Sequence, residues 1–513
     1  MQGGKRVNAG RKSVSLKEKK VGFKVYLTPE LQEEINYYGV GASFSEKCAN
    51  LIAKRIQEEK ESFDSTIRFI DLFAGLGGIR PVSYTHLRAH ETSAHGFEEG
   101  LREVGLEAKC VFSSEIKKYA IKAYQGYFGN EKVYGDITQI ETDTIPDFDF
   151  LLAGFPCQPF SSAGKGLGFA DTRGTMFFEI ERILKEKMDA GKAAKGFLLE
   201  NVEGLVNHDG GNTLAVIVDH LQKLGYNVNY KLIDSQYFGL PQSRKRVYIV
   251  GMLDAKINLD NFEKKTVTLG EVLEHGLPTV ESNFTKKLFK NYTPEEVVGK
   301  SIKDKRGGEN NIHSWEIELK GSTSKEERTL LNLMLRERRK KKWAEEIGID
   351  WMDGMPLTEK QIKTFYDNPE LHTMLKDLKK KGYLTYEYPR KLEEGRRIPD
   401  ETKKKGYNIV AGKLSFEFSK ILDPNELAPT LVAMDVSKLG IIDNGGLRRL
   451  TIREGQRLCG YPEEYDLSIV NEKEAFDLLG NTVCVPVIKA ISKRIGEKCR
   501  KGKVHEINST RSI

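Results

Sequence analysis

Between Thr66 and Gly251, short apolar runs alternate with amphipathic stretches, and this alternation constrains the fold more than any other feature of the chain. The runs IRFIDLF (67–73), KCVFSSE (109–115), FDFLLAGF (148–155), GFLLENV (196–202) and RVYIVGM (246–252) are dominated by apolar residues on both faces. That habit predicts strands of a parallel sheet covered on both sides. Helical stretches around 115–127, 174–189 and 212–224 separate them. The reading is a doubly wound, Rossmann-like α/β domain over 66–251, whose ligands lie at the carboxyl ends of the strands.

The rest of the 513 residues divides by composition. Residues 1–20 form a basic arm that carries nearly all of the formal charge of +7. Residues 21–60 read as a strand through Phe23, Val25 and Leu27, a helix opening on Pro29, and a second helix after Ser43. This order resembles a ribbon-helix-helix module, which implies paired strands on DNA with Lys24 and Tyr26 facing it. A packing or dimerisation appendage is the plain alternative. Residues 252–445 are rich in Lys and Glu and read as a smaller, mostly irregular domain. Order returns over 446–500, which closes on one helix through LLGNTVCVPVIKAISKRI (478–495). No run of about 18 uncharged apolar residues suggests a membrane span. Six scattered cysteines without a C-x-x-C pair suggest neither a disulfide framework nor a zinc site. A cytoplasmic protein without a metal is expected.

Chemistry-bearing residues fall at predicted strand ends. In Asp71-Leu-Phe73-Ala-Gly75-Leu-Gly77-Gly78 the glycines let a turn press its backbone against a ligand. Glu115 suits ribose hydroxyls and Asp136 an adenine amino group, so the three motifs together describe an adenosine site. Gly154-Phe-Pro156-Cys157-Gln158-Pro-Phe-Ser161 presents a thiol on a stiff loop, the placement of a nucleophile as opposed to a core cysteine. Glu200-Asn201 ends another strand as a desolvated acid or a helix cap. In Gln242-Ser-Arg244-Lys-Arg246 the arginines entering a buried strand need an anionic or carbonyl partner.

With SSE at 113–115, GDI at 135–137, RRLTIREGQRLCGYP and GNTV at 480–483, these motifs stand in the order of the DNA cytosine-5 methyltransferases, and the sequence resembles that family in its bacterial or phage restriction-modification form. The resemblance implies S-adenosylmethionine as cofactor. Asp71, Phe73, Gly75, Gly77, Glu115, Ile116, Asp136, Ile137 and Pro156 would hold it, with Asn481 and Thr482 closing its methionine end. It also implies Cys157 as the nucleophile, with Glu200 at N3 and Arg246 at the C2 carbonyl of the cytosine, and Gln158, Asn201 and Arg244 beside them. Residues 252–445 would be the family's target-recognition domain, and the duplex would meet Ser161, Gln242, Thr430 and the basic cluster Arg336, Arg338 and Arg339, with the target base flipped out. The expected partner is double-stranded DNA, at the nucleoid. The catalytic part is expected to be a monomer, with the N-terminal module as the surface where two copies would pair.

The family pattern breaks once. After Ile79-Arg80, PVSYTHLRAHETSA (81–94) intervenes before His95-Gly96-Phe97-Glu98-Glu99. Without it, Ile79, Phe97, Leu101 and Val104 take helical spacing, and the distance from Gly75 to Glu115 falls from 40 residues to 26, nearer the ~20 expected of a Gly-rich turn and its ribose acid. The string also resembles the translation of a sequencing-library adapter. We read 81–94 as a fusion scar, a surface loop being the alternative; His86, His90 and His95 lack companion ligands for a metal. Two rival functions stand at this point: cytosine-5 methylation of tRNA, and a DNA-binding regulator with a secondary catalytic lobe.

Overall fold

The computed structural model describes residues 27–78, 96–129, 131–156, 176–305, 307–393, 396–410, 416–432 and 435–510, excluding the side chains of 56–65 and 501–510. The chain divides into two units, Met1–Thr66 and Ile67–Ile513. In the first, α1 (Pro29–Tyr38) starts at a proline, with the Thr28 hydroxyl accepting from the Leu31 amide at 3.3 Å. α2 spans Phe44–Ser65. The predicted strand residues Phe23, Lys24, Val25 and Tyr26 lie outside the described residues, and Leu27 and Thr28 are not in a strand.

The second unit is built on a seven-stranded sheet: β1 (Ile67–Leu72), β2 (Ala108–Ser114), β3 (Val133–Tyr134), β4 (Phe150–Gly154), β5 (Gly196–Val202), β6 (Asn227–Asp234) and β7 (Lys245–Met252). Their order is β3-β2-β1-β4-β5-β7-β6. Strand β7 runs antiparallel to both β5 and β6, so the expectation of a wholly parallel sheet is corrected there. The reversal follows from connection length: the ten residues between β6 and β7 allow an antiparallel return but not a helical crossover. Strand β6 was not expected at all, because its alternating burial lacks the all-apolar signature of a central strand.

Helices cover both faces. α3 (Gly96–Arg102) joins the closing helix on one face, through Phe97, Leu101, Ile488 and Ile491. α4 (Lys118–Phe128) follows β2, and α5 (Met176–Asp189) and α6 (Asn212–Lys223) pack on the other face through Phe177, Ile180, Ile217 and Leu221. These three correspond to the predicted helical stretches. Residues 81–94 lie outside the described residues, but α3 just beyond them is firmly seated. A Cβ on Gly100 would meet the Lys489 carbonyl at 2.4 Å, and Lys489 pairs with Glu99 and Glu103 at 3.0 and 2.9 Å.

The region 252–445 is not irregular, which corrects that expectation. Helices α7 (Asn283–Asn291), α8 (Lys325–Glu337) and α9 (Leu371–Lys380) each bury one apolar stripe, as Leu330, Leu331, Met334 and Leu335 do on α8. Short strands β8 (Ser301–Ile302), β9 (Asn311–Ile312), β14 (Lys420–Ile421), β15 (Leu439–Asp443) and β16 (Gly446–Arg449) form one sheet. Strand β10 (Leu384–Glu387) pairs with β13 (Gly406–Ile409), and β11 (Arg390–Glu393) with β12 (Arg396–Pro399). The chain then returns through α10 (Ile452–Cys459), α11 (Glu472–Asn481) and α12 (Val485–Thr510). The single closing helix is thus broken at Thr482, whose extended backbone starts a new direction before Pro486. An 18-residue window within 472–500 is apolar enough for a membrane span, but 72% of it is buried inside the protein.

Candidate active site

The turn after β1 is fixed by its own backbone. Phe73 (φ 59°), Gly75 (54°) and Gly77 (70°) all take left-handed conformations, and holding a phenylalanine there implies strain of about 1–3 kcal/mol. The Ala74 amide donates to the Ser114 carbonyl at 3.0 Å, tying the turn to the end of β2. There the Glu115 carboxylate accepts from the Gly75 amide at 2.9 Å with one oxygen, and from the Ile116 and Lys117 amides at 2.8 and 2.9 Å with the other. Three amides set its orientation and leave lone pairs for a hydroxyl pair. Asp136 uses Oδ1 to accept from the amide and hydroxyl of Thr138, at 3.0 and 2.9 Å. Ile137 is buried, while Ile116 is 69% exposed beside the carboxylate. Asp71 is buried under the turn.

The C-terminal return closes this region. The Tyr465 hydroxyl donates to the Leu76 carbonyl at 2.8 Å, and the Tyr461 and Thr482 hydroxyls are hydrogen-bonded to each other. A Cβ on Gly78 would lie 2.3 Å from the Tyr461 hydroxyl, so only glycine fits under that contact. Asp477 accepts from Lys117 at 2.8 Å and from the Tyr119 hydroxyl at 2.6 Å, joining α11 to α4. Asn481 is exposed at the end of α11, with its amide donating to the Asp477 carbonyl at 2.8 Å. Tyr465, Tyr119 and Asp477 were not anticipated, since nothing in their local sequence signals partners hundreds of residues away.

On the other side of β1 stands a buried acid–base pair. Gly154 of β4 is in register with Glu200 of β5, and Val202 with Arg246 of β7. Arg246 Nε approaches Glu200 Oε1 at 3.0 Å. Burial raises the Glu200 pKa more than the opposing attraction of Arg246 and Arg244 lowers it. Burial also lowers the Arg246 pKa, helped by repulsion from Arg244. The dry site therefore disfavours both charges, and a protonated Glu200 becomes accessible. Asn201 donates from Nδ2 to the Phe155 carbonyl at 3.3 Å, which ties the end of β5 to the loop after β4. Pro156 is half-buried on that loop, and Cys157, Gln158 and Ser161 lie outside the described residues.

Several expected site residues are held by internal hydrogen bonds. Arg244, expected beside the reacting base, is 2% exposed and donates to the carbonyls of Leu431, Gly480 and Thr482 at 3.1, 3.1 and 2.5 Å. Gln242, expected at the DNA, is fully buried; it donates to the Leu458 carbonyl at 2.8 Å and accepts from the Leu431 amide at 3.2 Å. Both are internal clamps between β7, the Thr430-Leu431 segment and the C-terminal return. Thr430 is half-buried, its hydroxyl donating to the Ser243 carbonyl at 2.7 Å. In the basic cluster, Arg338 is buried and donates to Asn408 at 2.8 Å, so it is withdrawn from any nucleic-acid surface. Arg339 pairs with Asp353 at 2.7 Å, and Arg336 is exposed.

The residues present could hold an adenosyl cofactor: the oriented Glu115 carboxylate could accept from ribose hydroxyls, and Phe73 and Ile116 offer apolar surface beside it. Among the described residues no group of acidic, histidine or cysteine side chains could hold a metal ion. Residues 92–497 match the family model of the C-5 cytosine-specific DNA methylases. The chain is 56% identical to the Type II methyltransferase M.NlaIV of Neisseria lactamica and 54% identical to M.NgoBV of Neisseria gonorrhoeae, in both cases over 84% of this chain and 98% of the relative. It is 40% identical to M.BanI of Aneurinibacillus aneurinilyticus, over 83% of this chain and 94% of the relative.

Proposed function

We infer the detailed reaction from one fact: the chain belongs to the C-5 cytosine-specific DNA methylase family. It is a DNA methyltransferase whose product carries the methyl group on C5 of cytosine. The proposal concerns which groups perform the reaction. C5 is a poor nucleophile, so a thiolate at Cys157 adds to C6 and makes C5 an enamine carbon. Glu200 donates its proton toward N3 and Arg246 donates to the C2 carbonyl, offsetting charge that develops on the ring. After the transfer a base removes the C5 proton, and the Cys157–C6 bond breaks to regenerate the thiolate. Asn201 holds the Phe155 carbonyl, two residues before Cys157 in the chain.

S-adenosylmethionine, when bound, supplies the methyl group as an electrophilic sulfonium. Glu115 would hold its ribose, Asp136 and Ile137 its adenine with Phe73 stacked, and Asn481 and Thr482 its methionine end. The substrate is a specific duplex site from which the cytosine is flipped, in line with relatives named Type II methyltransferases. The enzyme would work at the nucleoid. Two copies would pair through the first unit, where α1 buries no residue and Tyr37, Val40 and Ile52 are exposed. The family match begins at residue 92, leaving DLFAGLGG (71–78) outside it, which supports 81–94 as an interruption.

The observation that carries the mechanism is the buried Glu200–Arg246 pair, with the neighbouring Asn201 bonded to the carbonyl of Phe155, two residues before Cys157 in the chain. Its test is expression in a host without cytosine-5 methylation, followed by bisulfite sequencing. Protected cytosines in one sequence context are expected; uniform conversion would overturn the reading.

A further inference from the structure

The region 252–445 carries a cationic element that the active site does not use. Strands β11 and β12 pair as Arg390↔Pro399, Lys391↔Ile398, Leu392↔Arg397 and Glu393↔Arg396, and all eight residues are exposed. A two-stranded ribbon is at best marginal alone, so something must hold it. Its root does: the Asp400 amide donates to the Pro389 carbonyl at 2.8 Å, and the adjoining β10 and β13 bury Leu384, Tyr407 and Ile409 in the core beneath α8 and α9. The ribbon is an arm on a rigid base.

Its charge is one-sided. Arg390, Lys391, Arg396 and Arg397 stand against Glu393 alone on the two strands. Lys391 pairs with Glu393 at 3.0 Å, and Arg397 donates to the Trp351 carbonyl at 2.9 Å. Among the described residues, the guanidinium groups of Arg390 and Arg396 have no hydrogen-bond or ion-pair partner. Charge on an exposed edge commonly serves to block aggregation. That purpose does not account for Leu392 at 52% and Ile398 at 37% exposure, each paired across the strands with a cation, Arg397 and Lys391. Alternation along the strands sets Arg390 beside Leu392 on one face and Arg396 beside Ile398 on the other, so each face offers a partner-free guanidinium next to an apolar side chain; that suits a DNA major groove, which admits a two-stranded ribbon and meets it with base edges on one side and phosphates along its walls.

We propose that the paired strands Arg390–Glu393 and Arg396–Pro399 enter the major groove of the target duplex, Arg396 fixing one base of the site, a role that rests on the DNA methyltransferase reading above. Arg396, at the end remote from the root, makes a bidentate contact to a guanine edge. Arg390, at the root, holds a backbone phosphate. The two contacts differ in what they tolerate: lysine keeps the charge at a phosphate but loses the fork that a guanine requires.

The test uses the full-length protein. Duplexes selected from a randomised pool by the unaltered chain define its motif, and affinities are then measured across a salt series for Arg396→Lys and Arg390→Ala. For Arg396→Lys, one specified base pair is expected to become degenerate, with about a tenfold loss of preference. For Arg390→Ala, all duplexes should weaken alike, and the slope of log K against log salt should fall by about one. Both side chains are exposed, so unchanged thermal unfolding is the folding control. Wild-type motif, affinity and slope in both variants would overturn the ribbon proposal alone, and would be the result if the ribbon served a protein partner. No duplex selected by the unaltered chain, with no methylated cytosine in host DNA, would overturn the underlying reading and this proposal with it.

Discussion

Replacing Arg244 with methionine is expected to loosen the C-terminal return while leaving the Glu200–Arg246 contact in place. The guanidinium donates to three buried carbonyls, those of Leu431, Gly480 and Thr482. Methionine occupies a similar volume with no donor, so all three lose a partner. An unsatisfied buried group costs about 1–3 kcal/mol, which sums to roughly 3–9 kcal/mol. Release of a charged group from a dry site offsets part of this and leaves on the order of 3–5 kcal/mol. Gly480 and Thr482 stand at the break between α11 and α12, where Thr482 also meets Tyr461 over the β1 turn. The damage should therefore appear as at least a tenfold weaker affinity for S-adenosylmethionine, together with a lower urea midpoint. Arg244→Lys, which keeps the charge but cannot span three acceptors, should fall between. Calorimetric titration of the cofactor and equilibrium unfolding measure the two effects. A methionine variant within about 1 kcal/mol of the parent, with unchanged cofactor affinity, would refute the clamp.

Other consequences follow from the same geometry. Burial raises the Glu200 pKa, so its protonated form persists above the usual carboxyl range and is lost as pH rises through the raised value. The single-turnover rate should accordingly decline on the alkaline side. Glu200→Gln should lower that rate by roughly 10²-fold or more and flatten the decline, since the amide can donate but not transfer a proton; an unchanged alkaline limb would remove Glu200 from the proton path. Deleting 81–94 should strengthen cofactor binding and raise methylation, because the segment separates the β1 turn from α3. Equal activity with and without it would mark 81–94 as a tolerated loop.

The motifs were legible where chemistry restricts residue type at a strand end. Glu115, Glu200 and Arg246 stand at or beside the strand ends where a local reading puts them. Strand direction was not legible, because β7 is as apolar on both faces as the parallel β4 and β5, and only the short link from β6 determines its reversal. The helices of 252–445 carried a signal that their Lys- and Glu-rich composition obscured: Leu330, Leu331, Met334 and Leu335 recur at helical spacing on α8. The internal hydrogen bonds of Arg338, Gln242 and Arg244 were not legible, for a different reason. Arginine and glutamine in a motif look the same whether they face DNA or a carbonyl, and their partners Asn408, Leu458 and Thr482 lie 70 to 238 residues away.

The most direct measurement of the account concerns the sulfur of Cys157. A duplex with 5-fluorocytosine at the mapped position cannot release the C5 substituent as a proton, so the enzyme should remain bonded to it. With the methyl donor present, mass spectrometry should find a protein–DNA adduct at Cys157 that carries the added methyl, and Cys157→Ser should give none while still binding the duplex. An enzyme that methylates the ordinary site yet forms no adduct, or a serine variant that forms the same one, would contradict the mechanism.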